Sequence, residues 1–325
     1  MPVPRRLTSR IRLTILPGDT RGRSSAGPDR PAGWAAYAPG AAVRRHNRSR
    51  QLSAAVWSRL WWNRRAFAGI TVVGIRTFFT YRSLVAFFTV NMLLQVYLLK
   101  VVWTAIYGSQ PRIDGVPIQT LIVYLTLTNV QLHFAFSDLP RLVRNRLREG
   151  QVATDLTRPL GFPAQLVANQ LGGTIAGLTL LLPALPVALF LGGLALPASP
   201  VAGLLYVGSL GLAYLIELLI GMIVGLIAFW TLEIWGVQAI LGFVSRFFSG
   251  ALVPIWLFPG VLRKVAEMLP FQAIASIPAS IFIGRISGRG VVDAIGLQVI
   301  WIVLLLTLAA LVWRRAQRHI VVQGG

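Results

Sequence analysis

Residues Val201–Trp230 read VAGLLYVGSLGLAYLIELLIGMIVGLIAFW and carry one charged side chain, Glu217. A hydrocarbon core about 30 Å thick is crossed by about 20 apolar residues in an α-helix, so this stretch is long enough to span a bilayer. Five further apolar stretches after Tyr81 meet or approach the same length. They are Leu84–Ile106, Ile118–Phe136, Leu171–Leu196, Ile234–Val253 and Val291–Trp313. The sequence therefore predicts an all-α, polytopic membrane protein with six transmembrane helices.

The composition supports a membrane protein and excludes several chemistries. Of the 325 residues, 55% are hydrophobic and 13% are charged, about half the charged fraction of a typical soluble domain. The chain has no cysteine, which excludes disulfides and thiol chemistry. Its three histidines, His46, His133 and His319, are too few and too scattered for a metal cluster, so we predict no metal site and no catalytic residue.

The N-terminal part is strongly basic. Met1–Arg50 is rich in Pro, Gly, Ser and Arg without hydrophobic periodicity, so we expect a disordered arm. The remaining residues, 51–325, form the predicted membrane domain. Residues 1–82 hold sixteen arginines against two aspartates. Such a charge could bind nucleic acid. We favour a different interpretation, in which the arginines follow the bias of basic residues toward the cytoplasmic side and attract anionic lipid.

The distribution of arginine also predicts orientation. Basic residues cluster in the arm, in the loop after the second predicted span and in the C-terminal tail, which lie on one side if there are six spans. We therefore expect both termini in the cytoplasm and a multi-pass protein of the cell membrane. Leu52–Thr80 mixes aromatic, aliphatic and arginine residues, which is typical of an interfacial helix. The preference for Arg over Lys suggests a bacterial coding sequence of high GC content.

The loop Pro140–Pro159 reads PRLVRNRLREGQVATDLTRP and is the first candidate functional segment. Its apolar residues give one narrow face, and Gly150 can bend or end the helix. It is either a docking surface for a soluble partner or a solvated inner loop. The candidate contact residues are Arg141, Arg144, Arg146, Arg148, Glu149 and Asp155.

The second candidate is Phe247–Phe271, which follows the fifth predicted span. Two glycines and two prolines break the helix there, and a short amphipathic helix follows. We expect a re-entrant segment at the outer surface that serves as an outer gate or as a lid on the bundle. The breaking residues are Gly250, Pro254, Pro259 and Gly260.

Two charges fall inside the predicted membrane region. Glu217 lies near the middle of the fourth span, where an ionised group costs at least about 2.5–3.5 kcal/mol, so it should face the bundle and find a partner. Arg246 in the fifth span is the predicted partner. A carboxylate that senses protons or substrate is the alternative. Gly221 and Gly225 permit close helix approach and are weak evidence for a dimer face.

These segments resemble the membrane subunits of ABC-2-type transporters. The resemblance covers about Leu52 to the C-terminus. It rests on the arginine-rich loop with Glu149-Gly150 and Arg158-Pro159, on LIGMIVG at Leu219–Gly225 followed by Ala228-Phe229-Trp230, and on the Ser249-Gly250, Pro254 and Pro259 break with Leu269-Pro270-Phe271.

The resemblance implies a non-catalytic permease that works as a dimer, with a second copy or with a paralogous permease. It further implies that two separate ATP-binding subunits bind ATP and Mg, that this chain binds no cofactor, and that the Pro140–Pro159 loop contacts the ATPase. Export is the direction that the resemblance implies. Independently, neither Lys100 nor Lys264 follows a glycine, so the chain lacks a phosphate-binding loop.

Two other functions remain as alternatives. An ion-coupled secondary transporter tends to have inverted repeats and helices broken at the midplane, whereas the clear break here is near one surface. An integral-membrane enzyme would need clustered carboxylates or histidines at a membrane face, and the sequence has no such cluster.

Overall fold

A computed structural model describes residues 48–80, 82–110, 112–135, 137–192, 195–231 and 233–323, and most of these residues are helical. An all-α membrane protein is thereby confirmed. The predicted disordered arm Met1–Arg50 lies outside the described residues, except for its last three residues, which begin the first helix. Contacts between Cα atoms divide the chain into Met1–Ser53 and Ala54–Gly325, and the features that bear on function lie in the second unit.

The described helices follow one another with short connections. Their bounds are α1 Arg48–Thr80, α2 Arg82–Tyr107, α3 Ile118–Ala135, α4 Leu139–Arg148, α5 Gln151–Leu156, α6 Phe162–Gly192, α7 Pro200–Thr231, α8 Trp235–Phe248, α9 Gly260–Met268, α10 Ser276–Phe282 and α11 Arg289–Gln323. Short 3-10 helices occupy Ile255–Leu257 and Pro270–Ala273. Strands β1 (Arg112–Ile113) and β2 (Val116–Pro117) pair antiparallel between α2 and α3.

Three described helical stretches are long and apolar enough to cross a membrane by themselves: Thr89–Tyr107, Pro200–Thr231 and Arg289–His319. A fourth span is possible if Gly260–Met268 and Pro270–Phe282, which are bent by 68°, are taken together. The second half of α3 holds Asn129, Gln131 and His133, which lower its hydropathy. The count of six spans therefore stays a prediction.

Helix α7 is the centre of the packing. Toward its C-terminus Leu218, Met222 and Leu226 are buried against α4, α6 and α11. Phe162 of α6 stacks on Trp313 of α11 with ring centroids 5.3 Å apart. Other faces of α7 pack against α10 and the middle of α11. Helix α7 therefore joins α4, α6, α10 and α11 in one packed unit.

Helix α8 differs from α7 because none of its residues is buried. Large apolar side chains such as Trp235, Ile240 and Phe243 are mostly exposed. The helix is also shorter than the predicted span Ile234–Val253, because Gly250 takes a left-handed backbone conformation (φ +82°) that ends the helical path.

Candidate functional site

The loop between α3 and α6 forms two short helices, α4 and α5, joined at Gly150. Gly150 has φ +68°, a conformation that favours glycine, and the backbone N–H of Glu149 ends α4 by donating to the carbonyl of Asn145. The side of α4 that carries Leu139 and Val143 is fully buried against α7. The predicted apolar face therefore packs against the chain's own bundle.

Asp155 of α5 is the buried centre of this loop. Its side chain is only 4% exposed, and its carboxylate oxygens lie 2.5 Å from Arg146 Nη1 and 3.2 Å from Arg158 Nη1. The Gln165 amide donates to the backbone carbonyls of Asp155 and Leu160, each over 2.7 Å. Ion pairs and hydrogen bonds thus fix α5 to α4 and to the start of α6.

Glu233, in the connection between α7 and α8, links that connection to α4. Arg148 Nη2 lies 2.5 Å from Glu233 Oε1, and Arg144 Nε lies 3.7 Å from Glu233 Oε2. Sequence reasoning missed this role, because Glu233 is far along the chain from both arginines and no local motif joins them. The signal available was an isolated acid beside a helix end with no nearby basic residue.

The six predicted contact residues divide by exposure. Arg146 and Asp155 point inward and hold the loop together, whereas Arg148 hydrogen-bonds to Glu233 and Arg144 lies within ion-pair distance of it. Arg141 pairs with Asp138 at 2.8 Å, and Glu149 accepts from the Gln151 amide over 2.6 Å. The exposed members are Arg141, Arg148 and Glu149. These three present the charges that a soluble partner can reach.

A stripe of α7 receives the start of α4. The carboxyl of Glu217 accepts from the backbone N–H of Ser137. One turn on, a Cβ built at Gly221 would lie 2.7 Å from the Ser137 Cβ, and one at Gly225 would lie 3.0 Å from Val143 Cγ2 and 3.2 Å from the Leu139 carbonyl oxygen. The glycine pair that the sequence left as weak evidence for a dimer face therefore admits α4 of the same chain.

The structure gives Glu217 and Arg246 different partners. Arg246 Nη1 donates to Gln95 Oε1 over 3.3 Å, while Glu217 contacts Ser137. Within the part of the chain that the structure describes, the ion pairs do not include the predicted pair. Arg246 and Gln95 line a cavity of about 60 Å³ together with polar side chains of α2 and α3. Those side chains are Asn91, Asn129 and His133.

A double-mutant cycle tests these separate environments. We expect Glu217→Leu to cost about 1–3 kcal/mol of unfolding free energy because it leaves the buried Ser137 N–H without an acceptor. Glu217→Gln retains an acceptor and should cost less. Combining Glu217→Leu with Arg246→Gln should give additive losses within about 0.5 kcal/mol. Reversible unfolding in mixed micelles measures these values, and strong coupling between the two sites would show that they are partners.

The break after α8 packs against the middle of α3. A Cβ at Gly250 would lie 2.6 Å from the Tyr124 hydroxyl, which itself donates to Ser276 Oγ over 3.0 Å. The amide of Asn129 donates to the carbonyl of Ala251 over 3.1 Å. Pro254 and Pro259 immediately precede the 3-10 helix and α9, which begins at Gly260. The four predicted breaking residues thus lie in or beside one irregular segment.

Over the described ranges, no three His, Cys, Asp or Glu side chains come together in a group that could hold a metal ion. The charged groups that the structure assembles form ion pairs and helix contacts. Long apolar helices around a basic, structured loop define the class of the protein as a polytopic α-helical membrane protein.

The chain belongs to the ABC-2 transporter family. The sequence model described as ABC-2 family transporter protein matches residues 75–324, which covers the end of α1 and all the later helices. A comparison with curated proteins finds no match. The protein is therefore a membrane-spanning permease component of an ABC transporter, and membership in this family implies an ATP-binding partner.

Proposed function

We propose that this chain is the permease of an ABC exporter and works as a dimer, with a second copy or a paralogous permease. Separate ATPase subunits bind ATP and Mg and dock on α4 and α5. Both termini lie in the cytoplasm of a bacterial cell, and the helices form the route across the plasma membrane. The observation that carries the proposal is the attachment of α4 to α7 along Glu217, Gly221 and Gly225.

This attachment supports a mechanical role for α4. Its inner side is buried without room for sliding, since backbone atoms of Leu139 and Pro140 lie within 3.2–3.3 Å of a Cβ at Gly225. Its opposite side carries exposed charges, and Arg148 binds the α7–α8 connection through Glu233. A force on the exposed side therefore passes to α7 and α8 together, because close-packed helices move as rigid bodies.

The exposed apolar face of α8 supports the proposed dimer. Side chains such as Trp235, Ile240 and Phe243 are mostly exposed, and no helix covers them within the part of the chain that the structure describes. In a membrane such a face contacts lipid or a second protein. The polar cavity beside it, which Arg246 and Gln95 line, favours a protein partner because polar groups in membranes usually face a bundle interior.

Charge reversal on the exposed side of α4 tests the docking. We expect Arg148→Glu to reduce ATPase recovered with the tagged permease at least about tenfold, because one lost charge-assisted contact costs about 1.5–3 kcal/mol. Co-purification at matched expression measures the effect. Arg263→Glu on α9 is the control, because Arg263 is an exposed arginine in an i,i+4 pair with Glu267, outside the α4–α5 loop. Equal ATPase recovery from the Arg148 and Arg263 variants would contradict docking at α4.

A further inference from the structure

A groove of about 520 Å³ lies between α1, the end of the α4–α5 loop and α6. This volume is within the range of about 300–1,000 Å³ that is usual for ligand sites. The wall from α1 presents one helix face, because its members are spaced at i, i+3, i+4 and i+7. They are Ala66, Gly69, Ile70 and Val73. This wall offers hydrocarbon surface and no charge.

The opposite side of the groove is basic. Arg146 and Arg158 line it, and Pro159 and Leu160 continue it as an apolar surface. The carboxylate of Asp155 pairs with both guanidinium groups, and its side chain is only 4% exposed. Two positive groups against one negative group leave the formal charge of this side positive. The contact of each arginine with Asp155 uses Nη1, whereas a guanidinium has five N–H donors.

A close crossing of α1 and α6 bounds the groove at one end. A Cβ at Gly74 of α1 would lie 2.5 Å from the Asn169 carbonyl oxygen, and one at Gly172 of α6 would lie 3.0 Å from the Gly74 Cα. The two backbones therefore touch at this crossing. Gly69 lies more than one turn earlier on α1. A Cβ added there would meet no neighbouring atom within 4 Å, so the space beside it is open.

We propose that this groove binds an anionic glycerophospholipid, with the phosphate between Arg146 and Arg158 and an acyl chain along Ala66–Val73. The match is between two guanidinium groups and an anionic headgroup, and between the apolar wall and hydrocarbon. The bound lipid fills the space between α1 and the α4–α5 loop and thereby stabilises the position of that loop. Lipid binding at this site does not depend on the transport function.

Two substitutions test the proposal on the purified full-length chain. Gly69→Leu fills the groove, and it should not unfold α1, because the space is open and Leu favours helix by about 1 kcal/mol over Gly. Arg158→Gln removes one charged donor. The probe is dioctanoyl phosphatidylglycerol, with dioctanoyl phosphatidylcholine for comparison, and the readout is the dissociation constant from native mass spectrometry. We expect each variant to weaken phosphatidylglycerol binding about tenfold or more.

Matched controls separate the groove from general effects. Gly69→Ala adds helix propensity without filling the space, and Arg141→Gln removes an exposed arginine that does not line the groove. Both should stay within about twofold of the unaltered chain, which is no more than about 0.4 kcal/mol. Equal binding of phosphatidylglycerol by all variants, or equal affinity for the two lipids, overturns the proposal. So does a Gly69→Leu chain that keeps its lipid affinity but loses the ATPase, because the groove would then be a protein docking site. If Arg158→Gln fails to fold, Gly69→Leu decides alone.

Discussion

Replacing Gly221 with leucine is expected to uncouple the transporter. A Cβ at this position would meet both the Oγ and the Cβ of Ser137, the latter at 2.7 Å. The larger side chain must therefore push the start of α4 away from α7. Overpacking of this kind costs about 1–3 kcal/mol. In our proposal, force reaches α7 through α4. The rate of the ATP-driven rearrangement of the permease helices should therefore fall at least about tenfold, while ATP hydrolysis by the partner continues.

The same helix supplies a matched control for this prediction. Gly211 also lies on α7, and its built Cβ meets no atom within 4 Å, so Gly211→Leu adds the same volume without contacting α4. Hydrolysis and rearrangement are measured together on the reconstituted complex. If Gly221→Leu and Gly211→Leu behave alike, or if Gly221→Leu leaves rearrangement intact, α4 does not act through its contact with α7.

Replacing Asp155 with asparagine is expected to cause the largest loss of stability. The substitution keeps the size of the side chain but leaves Arg146, whose side chain is 12% exposed, and Arg158 without their counter-charge. Removing one partner from a buried ion pair costs about 3–5 kcal/mol. The α4–α5 loop should then detach from the start of α6, which lowers both the free energy of unfolding and ATPase recovery.

Asp138→Asn is the control for this second prediction. Asp138 also pairs with an arginine of α4, but its side chain is 44% exposed and that of Arg141 is 57% exposed. Exposed pairs contribute about 0–1 kcal/mol, so the control should lose much less stability. Chemical unfolding in mixed micelles gives both values. Losses of similar size at Asp155 and Asp138 would show that burial of the Asp155 ion pairs adds nothing to the free energy of unfolding.

The helices with simple patterns could be predicted closely from the sequence. The predicted span Val201–Trp230 corresponds to α7 at Pro200–Thr231, and Leu84–Ile106 corresponds to α2 at Arg82–Tyr107. An uninterrupted apolar segment in a bilayer has few alternatives to forming a helix, because its backbone groups must bond within the segment. Pro200 can begin a helix without losing a hydrogen bond. The break after α8 was also visible, because glycine and proline act locally.

The contacts between distant parts of the chain could not be predicted in the same way. Glu233 and Arg148 are 85 residues apart, and nothing in either segment identifies the other. Glu217 was predicted to bind a charge in a neighbouring span, but in the structure it accepts from the backbone N–H of Ser137. Every residue except proline has a backbone N–H, so the sequence does not show which of them Glu217 accepts from. Only the folded geometry decides that. For the same reason, the sequence could not show that Gly221 packs against α4 of its own chain.

Spin labels in the complex test the central claim most directly, namely that a separate ATPase drives this chain through α4. The chain has no cysteine, so labels can be placed at Trp235→Cys and Val261→Cys, which replace residues 73% and 81% exposed on α8 and α9. Double electron–electron resonance then gives the distance between the two labels in nanodiscs. We predict that ATP and Mg shift this distance when the ATPase is present, and not when the permease is alone or carries Gly221→Leu. A shift with the permease alone, or no shift while the bound ATPase hydrolyses ATP, would contradict the account.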